Sequence, residues 1–141
     1  MVDETGPSCA SSVLTIDLGA LKRNYRLIAS HAGTSECVAV VKADGYGLGI
    51  GPVLNALRDA GCATFFVATL DEAIALRTLQ QGPVIYYLNG LMPGEADICR
   101  THSIRPTLND PGQIERWAEY CATGREALPA AVHIDTGMSR L

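Results

Sequence analysis

Short runs rich in β-branched and aromatic residues alternate with longer stretches of helical periodicity along almost the whole chain, and this alternation restricts the fold more than any other feature. The runs that read as strands span residues 13–16, 38–41, 64–68, 84–88, 104–107 and 131–135. Several are continuously apolar, as strands buried on both faces should be. The helical stretches between them carry their own start and stop signals. Asp17 caps a helix with Leu18, Leu21, Tyr25 and Ile28 on one face, and Gly33 ends it. Residues 52–60 form a second helix, opened by Pro52, with Val53, Leu54 and Leu57 inward and Gly61 past its end. Thr69 and Glu72 have the spacing of a capping box for a third, stopped by Gly82 and Pro83. Pro93 sits in the first turn of a fourth, which runs to His102. Asn109 or Asp110 caps a fifth, whose apolar stripe is Ile114, Trp117, Ala118 and Cys121.

A strand, helix, strand repeat every 20 to 28 residues or so is the cadence of βαβ units, which need parallel strands. Setting the first run aside leaves five strands joined by four helices, an α/β architecture. A doubly wound sheet and a (β/α)8 barrel share that cadence. The glycine cluster Gly45-Tyr46-Gly47-Leu48-Gly49 lacks the spacing of a dinucleotide fingerprint, so nothing favours the doubly wound option. Residues 1–12 read as a loose polar tail and 13–141 as the domain. The chain stops just after the fifth strand with no helix to cover it, which is the expectation for the amino-terminal part of a larger barrel with open strand edges.

Composition narrows the function. With 48% hydrophobic and 18% charged residues the chain should fold rather than remain disordered. Eleven lysines and arginines against 15 acidic residues give a net charge of −4, which argues against nucleic acid or an anionic membrane as the main partner. Small anions stay possible, because backbone donors bind them whatever the net charge. The five cysteines stand singly, without a C-x-x-C pair, and read as free thiols rather than a disulfide or metal framework. The amino terminus is acidic and polar where a secretory signal would be basic and then apolar, so the expected location is the cytoplasm.

Lys42 is the residue that demands an explanation. It follows Val38-Ala39-Val40-Val41, at the carboxyl end of a buried parallel strand, where barrels and open sheets place their active loops. The chain has only one other lysine, Lys22, on a predicted helix surface. One reading of Lys42 is a strand-end side chain reaching to solvent. The other is a nucleophile. Three glycines within five residues after Asp44 permit unusual backbone conformations, and the following helix start offers N–H groups to an anion. A lysine amine beside a site for a phosphate-sized anion is what a pyridoxal phosphate imine needs.

The run V-V-K-A-D-G-Y-G-L-G at Val40–Gly49 resembles the lysine motif of the alanine racemases, usually V-V-K-A-D-A-Y-G-H-G. L-T-I-D-L-G-A-L-K-R-N-Y resembles that family's first strand and helix, and H-I-D-T-G-M-S-R-L resembles its D-T-G-M-x-R-L-G motif. The three occur in the family's order, so the resemblance covers residues 14–141. It implies a partial (β/α)8 TIM-type barrel of about five parallel strands, pyridoxal 5′-phosphate as cofactor, and interconversion of L- and D-alanine for cell-wall peptidoglycan. It makes Lys42 the imine-forming lysine and one of two catalytic bases. Tyr46 would bond the cofactor phosphate, and Arg140 would donate to the phenolic oxygen of the cofactor ring near the substrate carboxylate. Asp135, Thr136, Gly137 and Met138 would shape the strand end that positions Arg140. The second base, a tyrosine from the partner subunit of a homodimer, would lie outside these residues, so the 141-residue chain alone is expected to be inactive. Gly45 and Leu48 depart from the motif. His133 stands where many members carry a carbamylated lysine that supports the arginine, and imidazole cannot form that carbamate. A satisfied histidine pointing into the barrel is the other reading of His133. A non-catalytic pyridoxal phosphate-binding barrel, or a truncated product without independent function, are the alternatives to the racemase.

Overall fold

A computed structural model describes residues 11–140. The tail expected over residues 1–12 lies mostly outside the described residues, as does Leu141. The elements are α1 (Leu18–His31), β1 (Ala39–Val40), a single left-handed turn α2 (Lys42–Tyr46), α3 (Ile50–Asp59), β2 (Thr64–Val67), α4 (Leu70–Leu79), β3 (Val84–Tyr87), α5 (Ala96–Thr101), β4 (Arg105–Leu108), α6 (Pro111–Gly124) and β5 (Ala131–Val132). The five strands form one sheet in the order β1-β2-β3-β4-β5, every neighbouring pair parallel. Strands that follow chain order curve as a section of a barrel; a doubly wound sheet would reverse its order at a switch point.

Register separates two faces. Ala39, Phe65 and Ile85 pair across one row, and Val67, Tyr87 and Pro106 across another. Both rows point at the helices and are buried. Leu54 and Leu57 of α3, Leu76 of α4, Cys99 of α5 and Trp117 of α6 complete this core. Phe65, Leu54, Leu76 and Ile85 alone remove enough apolar surface to contribute roughly 2 kcal/mol each. The intervening row, Val40, Phe66, Tyr86 and Arg105, points the other way. Here Phe66 and Tyr86 stack with centroids 4.8 Å apart, and the Arg105 guanidinium lies over the Tyr86 ring and donates to its hydroxyl at 3.0 Å.

Several sequence expectations need correction. Residues 13–16 are not a strand. Their backbone makes no ladder among the described residues, and Val13 is 83% exposed. A β-branched run becomes a strand only where a neighbouring strand accepts its hydrogen bonds. Ile28 is exposed although the periodicity puts it with Leu18, Leu21 and Tyr25; after Tyr25 the half-buried stripe of α1 passes through Ala29 instead. Ile114 and Ala118 are likewise exposed, and Trp117 with Cys121 carries the contact of α6. Pro93 does not begin a helix. Pro93 and Gly94 form a turn closed by Met92 N–H on the Glu95 carboxylate, and α5 starts three residues later. The helix expected from Pro52 begins at Ile50. The capping box is present as read, with Glu72 N–H donating to Thr69 Oγ1. No helix among the described residues is long and apolar enough to cross a membrane.

Candidate active site at the carboxyl rim of the sheet

Beyond Val41 the chain bends sharply. Val41 N–H donates to Phe66 O at 2.8 Å, the last rung between β1 and β2, and the backbone then turns left-handed. Ala43, Asp44 and Tyr46 adopt φ of 53°, 53° and 58°, with Gly45 at 65° and Gly47 at 79°. Each non-glycine residue in this region costs about 1 kcal/mol or more, so contacts elsewhere must hold the turn. Its internal bonds run from Gly45 N to Val41 O and from Gly47 N to Ala43 O. Two carboxylates complete the anchoring. Asp44 Oδ1 accepts from Ile50 N at 2.7 Å, and Glu72 Oε1 reaches from α4 to accept from Ala43 N at 2.8 Å.

The turn leaves Lys42 half-buried on the same face as Val40, because side chains two apart on a strand share a face. The same period carries the inner row upward from Phe66 to Ala68, from Tyr86 to Leu88, from Arg105 to Thr107 and, through the Thr107–Ala131 pairing, from Ala131 to His133. These residues, with Asn89, Met138 and Arg140, line one cavity of about 330 Å³ at the carboxyl ends of the strands. Its volume sits at the small end of ligand sites. Among the described residues, Lys42 and Arg140 have no ion-pair partner. Thr107 is only 6% exposed, yet its hydroxyl has no hydrogen-bond partner there. A buried polar group without a partner is costly unless something else supplies the bond.

The loop after β5 brings Arg140 to this rim. Asp135 accepts from Gly137 N at 2.8 Å and Ser139 N at 2.7 Å, and these backbone donors hold its carboxyl below the usual carboxylate range. Asp135 thus organises the loop without lining the cavity.

Of the residues singled out from sequence, the cavity brings together Lys42, His133, Met138 and Arg140. Tyr46 is 61% exposed and does not line it. The start of α3, expected to offer its N–H groups to an anion, has its first one taken by Asp44, whose negative charge occupies that position instead. Sequence reasoning passed over Ala68, Leu88, Asn89 and Thr107. Their strand-end positions were readable, but membership of one face depends on register between distant segments. A larger cavity of about 530 Å³ lies at the opposite rim, around Arg77, His102 and Arg105. There the Arg77 guanidinium already serves four carbonyls.

The family model described as alanine racemase, N-terminal domain, matches residues 16–141. The chain belongs to this family. It is 50% identical over 137 residues to an alanine racemase of Methylobacterium nodulans, covering 97% of this chain and 37% of that protein. The chain therefore spans well under half the length of the relatives it matches. Among solved structures it resembles the alanine racemase of Bartonella henselae with covalently bound pyridoxal phosphate, at a TM-score of 0.83 and 40% identity over 89% of this chain and 35% of the other. A histidine racemase from Leuconostoc mesenteroides superposes at 0.78 with 27% identity, over 88% of this chain and 33% of the other. Alanine racemase N-terminal domains thus supply both the fold and a frame for reading the cavity.

Proposed function

We propose that the protein to which these residues belong interconverts L- and D-alanine with pyridoxal 5′-phosphate, and that the chain contributes one side of the active site. The observation that carries this reading is the convergence of Lys42, Thr107, His133 and Arg140 on one cavity at the carboxyl rim, with Thr107 Oγ1 lacking a partner among the described residues. The donor set suits the cofactor: an amine for its aldehyde, a guanidinium for an anionic oxygen, and a hydroxyl and an amide for polar ring substituents. When bound, pyridoxal phosphate acidifies the substrate Cα–H by spreading the resulting charge into its ring.

Lys42 is the group proposed to bond the cofactor covalently and to move a proton on one face of the substrate Cα. Arg140 orients the ring oxygen and the neighbouring substrate carboxylate, and the Asp135-braced loop fixes its approach. Tyr46, on the exposed side of the left-handed turn, is proposed to bond the cofactor phosphate. Racemisation also needs a base on the opposite face, which is proposed to come from the partner subunit of a homodimer. The product would supply D-alanine for cell-wall peptidoglycan in the cytoplasm. Alanine is favoured as substrate by the 50% identity to an alanine racemase.

The test is borohydride reduction of the complete protein loaded with pyridoxal phosphate, followed by peptide mapping, alongside racemisation assays on alanine, serine and histidine. A pyridoxyl group on Lys42, alanine turnover fastest of the three, and loss of both in Lys42→Ala are expected. A label on Lys22, or none, overturns the assignment.

A further inference from the structure

We propose that Glu72 is a positioning residue for Lys42, its carboxylate standing in for the hydrogen-bond rung that β1 and β2 lose where the chain turns left-handed. The proposal rests on reading Lys42 as the reactive lysine. Glu72 looks at first like an ordinary capping-box residue of α4, but its distances say otherwise. The capping contact, Thr69 N to Oε2, is the longest of its three, at 3.4 Å. The two short bonds go elsewhere. Ala68 N donates to Oε2 at 2.7 Å, and Ala43 N donates to Oε1 at 2.8 Å. Hydrogen bonds to a carboxylate at such lengths are among the strong ones, whereas a contact near the distance limit is weak.

The two strongly bound N–H groups are the significant ones. Ala43 directly follows Lys42, and Ala68 lines the cavity beside it. The β1–β2 ladder ends at Val41 N to Phe66 O. Past that point the strands part, and one carboxylate with an oxygen for each spans the gap. Ala43 also begins the left-handed stretch, with φ 53°, and its N–H has no backbone partner among the described residues. A single side chain 29 residues away therefore holds the first strained residue after the lysine and fixes the direction in which Lys42 leaves the strand. Glutamine at this position keeps only one acceptor oxygen, so it can serve one strand but not both.

The experiment compares Glu72→Gln and Glu72→Asp with Thr69→Ala in the complete protein. Thr69→Ala removes the helix cap and leaves the Ala43 and Ala68 bonds in place. Three readouts are followed: melting temperature, amide hydrogen exchange at Ala43, and the rate at which pyridoxal phosphate attaches to Lys42, trapped by borohydride and quantified by mass spectrometry. Both Glu72 variants are expected to speed Ala43 exchange and slow Lys42 attachment by about tenfold, the loss of roughly one charge-assisted hydrogen bond. Thr69→Ala is expected to lower the melting temperature while leaving both rates unchanged. If Thr69→Ala moves them as much as Glu72→Gln, or if neither Glu72 variant moves them, Glu72 is a helix cap only and the proposal fails. If Lys42 takes no pyridoxal phosphate in the unsubstituted protein, the functional reading fails, and Ala43 exchange alone decides whether Glu72 anchors the turn.

Discussion

At the amino-terminal rim of the sheet, the Arg77 guanidinium donates to His102 O, Gln81 O, Pro83 O and Ser103 O at 2.7 to 2.9 Å and is only 7% exposed. At the carboxyl rim, Lys42 and Arg140 have no carboxylate partner among the described residues, and the Thr107 hydroxyl is buried without a bond. Both rims have a cavity, a cation and polar side chains, so neither volume nor charge tells them apart. What differs is whether the polar groups are already satisfied. Where a buried donor is matched by carbonyls of the loops it joins, its work is to hold α4, β3 and β4 together. Where donors and acceptors converge without partners, the remaining bonds are left for a ligand. The smaller cavity is therefore the better candidate for a ligand site, while the larger one is walled by an arginine whose donors are already taken.

The greatest effect expected from disturbing this contrast is at the satisfied rim. Arg77→Met strips four carbonyls of their donor and should destabilise the fold by roughly 3 kcal/mol. Chemical denaturation of the complete protein would measure this, and the molecules that remain folded should still take pyridoxal phosphate on Lys42. An unchanged midpoint would mean that the rims are not distinct in kind. Thr107→Val should have the opposite signature, raising stability by about 1 kcal/mol because an unmatched buried hydroxyl is removed, while weakening cofactor affinity several-fold. Calorimetry paired with a cofactor titration separates the two changes. A loss of stability would show that the hydroxyl has a partner in the folded protein.

A smaller effect should come from alkaline pH acting on buried hydroxyl and thiol groups of the core. Burial pushes the Tyr25 hydroxyl, which donates to Cys37 O, up to about 12, and burial also raises the Cys62 and Cys99 thiols. A group whose folded pKa lies above its unfolded value contributes fully below the unfolded value and loses that contribution as pH rises through the folded one. The denaturation midpoint should therefore fall steadily as pH passes the ordinary thiol range and approaches 12. Iodoacetamide should modify Cys62 and Cys99 only as the fold opens. Rapid alkylation of either at neutral pH in the folded protein would contradict this.

The resemblance to alanine racemases rests on local motifs, and the elements that carry them were largely readable. Asp17 and Asp110 cap their helices as their residue type predicts, accepting from Ala20 N and Gln113 N. The capping box at Thr69 was equally local. Misreadings arose where a local signal needed a distant partner. Residues 13–16 have strand composition but no described neighbour to pair with, and Pro93 has the look of a helix start but sits in a turn closed by Glu95. In the candidate site, Lys42 and Arg140 were legible because each stands within a recognisable local motif. Thr107 and the two-strand reach of Glu72 were not, since nothing adjacent in the chain marks them.

The amino-acid order alone therefore settled the five paired strands and most of the helices, their succession, the parallel cadence and the placing of a lysine at a strand end. All of these follow from periodicity, caps and turn residues acting within a few positions. The folded arrangement settled the rest. It chose the register that puts Thr107 and His133 on the face of Lys42, and it left Tyr46 exposed and outside the cavity lining. It also put a carboxylate from α4 on the N–H that follows the lysine. Those outcomes join segments about 20 to 90 residues apart, and at that range only packing and hydrogen-bond closure decide which side chains meet.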